Sequence, residues 1–348
     1  MKQSYKREDY RGIWVIAEQD GDRISRVSLE LLTKARELKE QGKLAEPVTA
    51  VLLGTNLADF PAKLAEAGAE AVILVDHAAL RYFRNEAYAL IIKELVEERK
   101  PSVILMGATA AGSDLAPTVG AKLWTGVAAH CVDLKLNDQG NLVAVVPAFG
   151  GKVLGDILCP ELRPQMATVR PGILGKALCF PHDHYQVEHH DPAAALVKDK
   201  GLVQAIGVSY EPVQGVPLEE AEVVVAGGFG AATEENWQLV ETLAGVLGGA
   251  VGCTRPPLDE GWARDYQMIG TSGKSVRPKV YIGVGISGAT HHVCGMKDAG
   301  LIISINKDEK APIFEVSDIR VTADVATILP LVIEGLQKNS QDEVCRLA

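Results

Sequence analysis

The stretch Val280-Tyr281-Ile282-Gly283-Val284-Gly285-Ile286-Ser287-Gly288 runs an apolar strand into a glycine turn and then into helical residues, and its glycines spell G-x-G-x-x-G. Such glycines let a backbone approach a diphosphate, while the helix beyond offers unpaired N–H groups and a positive dipole end. The same turn also serves tight helix–sheet packing, so it does not decide the matter alone. Downstream, a second apolar run ends in Asn306, Lys307 and Asp308, and Asp324 follows a third at 319–323. Ser287, Asn306 and Asp324 therefore fall at the carboxyl ends of three expected strands, the edge at which open parallel sheets take nucleotides. Each is singly a good cap or turn former; the convergence of three predicts a nucleotide site.

These residues need a sheet to hold them in register. Apolar runs at 13–17, 48–54, 71–75 and 103–107 alternate with charged stretches of helical period at 27–43 and 85–100. That repeated βα pattern predicts parallel strands joined by right-handed crossovers, with helices on both faces. From 131 to 169 the spacing tightens, which predicts a small antiparallel addition with turns at Asn137-Asp138-Gln139-Gly140 and Phe149-Gly150-Gly151. Between 180 and 220 the chain turns polar and histidine-rich, and Pro212 and Pro217 mark a linker and a boundary near 211. A second βα series follows, with strands at 223–228, 250–253, 279–284 and 301–306 and helices at 234–247 and 325–337. The predicted fold class is α/β in two domains, 1–210 and 211–348, each built on a mostly parallel sheet flanked by helices, the C-terminal one Rossmann-like.

Composition agrees with two such cores: 348 residues, 47% hydrophobic, 5% aromatic and 34 glycines suit strands and helices joined by tight turns. A net charge of −10 argues against nucleic acid and anionic bilayers as partners. The six cysteines show no Cys-x-x-Cys pair and read as buried free thiols in a reducing, cytoplasmic compartment. His182, His184, His189 and His190 crowd the expected linker without acidic or cysteine partners at ligand spacing, so no metal site is expected. The N-terminal residues mix acids with bases and lack an apolar core segment, which predicts neither a secretory leader nor a transit peptide. The apolar-looking run 280–296 holds four glycines and two histidines, so membrane insertion is not expected. No nucleophile elbow, Walker lysine loop or His-Glu-x-x-His helix is present, and no catalytic residue is assigned.

The string PKVYIGVGISGA at 278–289, with Gly295-Met296, Ile305-Asn306-Lys307-Asp308 and Ala311-Pro312-Ile313-Phe314, resembles the C-terminal signature of electron-transfer flavoprotein alpha subunits. The likeness extends through Gly227-Gly228, Thr254-Arg255, Asp259-Glu260-Gly261 and Gly273-Lys274, and more loosely back to residues 163–171 and 16–19, so it covers nearly the whole chain. It implies an FAD in the C-terminal domain. Arg255 would lie against the isoalloxazine and favour a reduced, negatively charged flavin. Ser272 would bond flavin N5, and His292 would face the pyrimidine carbonyl O2. Ser287, Asn306 and Asp324 would line the ribityl, pyrophosphate and adenosine portions, with Thr254, Thr271, Gly273, Gly285, Ile286, Gly288 and His291 beside them.

The resemblance also implies a separate beta subunit in a heterodimer, an acyl-CoA dehydrogenase-like flavoenzyme as electron donor, or NADH and ferredoxin or flavodoxin reached through the complex. Four departures bear on flavin tuning. The usual Gly-Gly-Arg-Gly reads Gly227-Gly228-Phe229-Gly230, removing a cation; a usual Gln-Thr pair is Thr271-Ser272; a usual Gln is His291; and Arg320 stands in a Tyr-Gly pair's place, where it could restore the missing charge. Two other readings stay open: an NAD-linked dehydrogenase, against which the short tail after Gly288 argues, and a nucleotide-binding scaffold that has lost its flavin.

Overall fold

Strand β1 (Ile13–Ala17) is buried at every residue, because helices cover both faces of the sheet it centres. Alternate side chains divide between two cores. Ile13, Val15 and Ala17 join helix α1 (Arg26–Gly42) on one face, while Trp14 and Ile16 join α2 (Asn85–Arg99) and α3 (Ala110–Leu123) on the other. The computed structural model describes residues 6–148, 153–175, 178–180, 184–209, 215–231 and 233–347, and the chain divides into two compact units, Met1–Tyr210 and Glu211–Ala348. The turn expected at Phe149-Gly150-Gly151, His182 and Pro212 lie outside the described residues.

In the first unit β2 (Val48–Gly54), β3 (Ala71–Asp76) and β4 (Val103–Gly107) extend the parallel sheet around β1. Beyond β5 (Val127–Cys131) the chain forms a three-stranded antiparallel sheet of β6 (Asp133–Leu136), β7 (Leu142–Ala148) and β8 (Val153–Leu158). The turn at 137–140 closes its first hairpin, with Gly140 at φ +70° and the Asn137 side chain accepting from the N–H of Gln139 and Asn141. The chain then returns to the main sheet as β9 (Gln165–Val169).

The segment after residue 180, expected to be a linker, is partly incorporated into the sheet. Strand β10 (Gln186–His189) pairs with β3, and the seven-stranded order is β10-β3-β2-β1-β4-β9-β5. An edge strand needs only one partner and keeps charged side chains outward, here Glu188 against Arg99 Nη1 at 2.9 Å, which is why its polar sequence resembled a linker. Of the cysteines, Cys131 and Cys253 are buried, and burial pushes both thiols up to about 12. Cys159 and Cys294 are partly exposed and Cys179 is exposed, so the expected set of buried thiols is reduced to two of the five described.

The second unit is a five-stranded parallel sheet: β11 (Val223–Gly227), β12 (Ala250–Cys253), β13 (Val280–Val284), β14 (Leu301–Asn306) and β15 (Ile319–Thr322), in the order β12-β11-β13-β14-β15. One face is covered by α4 (Glu234–Val246) and α5 (Val325–Leu347), whose Val240, Leu243, Val325, Leu329 and Ile333 meet Val225, Val284 and Ile305. The other face is covered by irregular segments carrying Ile269, Val276, Met296, Ile313 and Phe314. Among the described residues no helix is long and apolar enough to cross a membrane.

Candidate functional site

Strand order reverses at β11: the chain steps outward to β12, then crosses to β13 on the other side. The loops leaving β11 and β13 therefore diverge and open a crevice at the carboxyl edge. At its base they pack backbone against backbone. Gly228 N–H donates to Val284 O and Gly230 N–H to Gly285 O, each at 2.8 Å, and Gly285 N–H to Ile305 O at 2.8 Å. Gly285 has φ +61°, and a Cβ there would stand 2.6 Å from the Gly230 carbonyl carbon, so both sterics and dihedral demand glycine. Beyond it, the N–H groups of Ile286, Ser287, Gly288 and Ala289 donate to no acceptor among the described residues. Backbone donors left unpaired beside a cavity favour an anionic ligand.

That cavity measures about 500 Å³. Of the thirteen residues expected at the site, Thr254, Arg255, Thr271, Ser272, Gly285, Ile286, Ser287, His291, His292, Asn306 and Asp324 line it. Gly273 and Gly288 do not. A Cβ on Gly273 would meet Met268 O at 2.3 Å, and one on Gly288, at φ +92°, would meet Ile313 N at 2.2 Å, so both glycines serve close packing behind the wall.

Arg255 opens a short helix (Arg255–Asp259); its Nε donates to Asp259 Oδ1 at 2.6 Å while its side chain stays 67% exposed. Asn306 acts between loops, donating from Nδ2 to Ile286 O at 2.8 Å and accepting from Asp308 N–H at 2.9 Å. It holds the 286 loop in place as well as lining the cavity. Asp324 accepts from Ala326 N–H at 3.0 Å at the start of α5. Ser272 is exposed and its hydroxyl meets no partner among the described residues.

His292 differs from expectation. Its Nδ1 lies 3.0 Å from the Ile269 carbonyl, which can only accept, so Nδ1 carries the proton and Nε2 accepts from the Tyr281 hydroxyl at 2.7 Å. Both nitrogens are taken by protein, and no N–H remains to donate to a flavin carbonyl. The ring is 5% exposed, and burial pulls its pKa down to about 4, opposed in part by the Ile269 carbonyl. His291 is the exposed neighbour: its Nδ1 meets Thr271 Oγ1 at 2.9 Å, and its Nε2 has no partner among the described residues.

Arg320 sits on the edge strand β15, exposed and outside the cavity wall, so it does not replace the cation missing at Phe229. Phe229 is on the rim and 59% exposed. The cation overlooked in the sequence is Lys307, which lines the cavity and pairs with no carboxylate among the described residues. Its signal was its place directly after Asn306 at a strand's carboxyl end. Asn236, Met268 and Pro312 also contribute to the wall and carried no sequence signal of their own.

Two family models match the chain: the electron transfer flavoprotein domain over residues 13–195 and the electron transfer flavoprotein FAD-binding domain over 217–297. Among curated relatives, an "Electron transfer flavoprotein subunit alpha" of Thermoanaerobacterium thermosaccharolyticum is 39% identical over 330 residues, covering 95% of this chain and 99% of that one. "Protein FixB" of Clostridium saccharobutylicum is 41% identical, covering 93% and 96%. "Lactate dehydrogenase (NAD(+),ferredoxin) subunit LctC" of Acetobacterium woodii is 37% identical, covering 96% and 79%.

The buried histidine makes the second unit sensitive to acid. Unfolded, it takes a proton near its usual 6.5; folded, only near 4, so its neutral form contributes fully above pH 6.5 and that contribution is lost as pH falls toward 4. The loss over this window should reach about 3 kcal/mol, and His292→Gln should flatten it. Urea denaturation at several pH values, followed on the second unit's tryptophans, checks this; an acid slope that the substitution leaves unchanged contradicts it.

Proposed function

The chain belongs to the alpha-subunit family of electron transfer flavoproteins, and we propose that the crevice between β11 and β13 holds its FAD while the first unit docks a separate beta subunit. The cofactor placement rests on the unpaired N–H groups of Ile286, Ser287 and Ala289, three residues that line the cavity at the switch point. Bound FAD supplies a centre that takes up and releases electrons.

The chain's own residues bind and orient that group. The loop N–H groups would donate to the diphosphate, and Lys307 supplies a cation to a cavity in which Phe229 supplies none. Asn306 keeps those amides aimed by holding the Ile286 carbonyl. The Arg255 guanidinium, restrained by Asp259, presents its remaining N–H groups to the isoalloxazine. Ser272 and His291 would offer polar side chains to it, and His292, held from behind by the buried Tyr281 hydroxyl, forms a neutral part of the wall. The Arg255 cation would favour negative charge on the reduced cofactor, while neutral His292 adds no charge of its own.

The docking surface follows from the first unit. Strand β8 exposes Val153, Leu154, Ile157 and Leu158 by 43–60%, with Leu162 beyond it, on the open edge of the antiparallel sheet. An apolar edge strand exposed on both faces requires cover. Relatives named as alpha subunits support a beta subunit as that cover. An acyl-CoA dehydrogenase-like donor is the simple relay reading. The name of the Acetobacterium woodii relative, which carries NAD(+) and ferredoxin, favours a second one, in which the complex couples a nicotinamide cofactor to ferredoxin.

Two outcomes are expected. Arg255→Ala should lower the midpoint potential of bound FAD by roughly 60 mV for each tenfold loss of preference for the reduced form, with Arg255→Lys recovering only part. Spectroelectrochemical titration checks this; equal potentials at equal FAD content contradict it. The double substitution Leu154→Asp with Ile157→Asp should weaken beta-subunit capture by about tenfold or more while leaving the FAD-binding unit's melting unchanged. Size-exclusion titration of the co-produced subunits checks it, and an intact heterodimer at low concentration contradicts the assigned surface.

A further inference from the structure

The first unit has a switch point of its own. β2 and β3 lie to one side of β1 and β4 to the other, so the loops after β1 and β4 diverge as those of the second unit do. A cavity of about 530 Å³ opens there.

Its chemistry is set by Glu18, which follows β1 directly. Both carboxyl oxygens share one donor, the Thr109 hydroxyl, at 2.9 and 2.8 Å. Among the described residues no lysine, arginine or histidine pairs with this carboxyl, and no second hydrogen reaches it. Burial raises its pKa above the usual carboxylate range, as expected of a desolvated acid without a cation. The carboxyl also stands at the first turn of α3, with Oε1 3.0 Å from where a Cβ on Gly112 would be. It therefore fills the place where that helix's positive end would otherwise receive a phosphate.

The outer wall is aromatic. Tyr82 and Phe83 line the cavity, Phe83 meeting Tyr88 edge-on with ring centres 5.0 Å apart. Arg81 is the one basic residue in the wall among those described; it is exposed, with its guanidinium over the Tyr82 ring at 5.4 Å. An acceptor with spare lone pairs, a filled phosphate place and flat aromatic walls suit a ring-bearing ligand with hydroxyl or amino donors and no phosphate. We propose that this cavity is a second ligand site, one that takes a phosphate-free nucleoside, its base against Phe83 and Tyr82 and its donors on Glu18.

Isothermal titration of the full-length, FAD-loaded chain with adenosine and with AMP tests this, since saturating FAD closes the second unit's site. Adenosine should bind, and AMP at least about tenfold more weakly, because its phosphate meets the Glu18 charge. Glu18→Gln, close in shape, should bring the two ligands within about threefold of each other. Phe83→Ala should weaken adenosine by about fivefold or more, and at 38% exposure its loss does not open the core. Equal FAD content and melting temperature show that each variant is folded. Absence of adenosine binding up to about 5 mM, AMP binding as tight as adenosine in wild type, or adenosine affinity moved by neither substitution would each overturn the proposal.

Discussion

Backbone packing between Gly230 and Gly285 is the constraint on which the candidate FAD site depends. The two loops approach so closely that neither position tolerates a Cβ, and three hydrogen bonds at 2.8 Å secure β11, β13 and β14 at that point. Because these bonds stop at Gly285, the next four amides are left without acceptors, and the reversal of strand order puts Ile286, Ser287 and Ala289 at the edge of a crevice. Asn306 then fixes the loop from the neighbouring strand. The open amides are thus a consequence of how the sheet is wound, and they precede any side-chain contribution.

Side chains adjust what that backbone offers. The cavity has Arg255 and Lys307 as cations and Asp308 and Asp324 as acids, each acid accepting from a backbone N–H two residues on, which limits how far it turns toward a ligand. His292 bonds to the Tyr281 hydroxyl through Nε2 and to the Ile269 carbonyl through Nδ1, so it gives the wall shape without charge. The two units use one geometric principle for different chemistry. Each opens a cavity at a switch point, but the first places its own carboxylate at the helix terminus while the second leaves its loop amides unpaired.

Much of this was legible in the sequence where a pattern repeats. The alternating runs at 13–17, 48–54, 71–75 and 103–107 are buried on both faces, and a fully apolar strand has few other uses. Ser287, Asn306 and Asp324 were placed because strand ends are visible in hydrophobicity, and all three line the cavity. Helix α3 escaped notice because Gly112, Pro117 and Gly120 interrupt its period. β10 was hidden because a polar edge strand looks like a linker. The role of His292 was misjudged for another reason: position places a residue at a wall, but the direction of its nitrogens depends on Tyr281 and Ile269, which meet it only in the folded chain. Lys307 and Phe229 show the same limit, since which cation faces a cavity is decided by side-chain direction at a strand's end.

If the amides left open by the Gly230–Gly285 contact receive the FAD diphosphate, bound FAD must shield them from solvent. Hydrogen–deuterium exchange on the chain with and without FAD reads those amides directly. Strong protection is expected on FAD binding across residues 286–289, with the 13–17 strand unchanged. FAD binding at full occupancy that leaves residues 286–289 exchanging as in the free chain would contradict it.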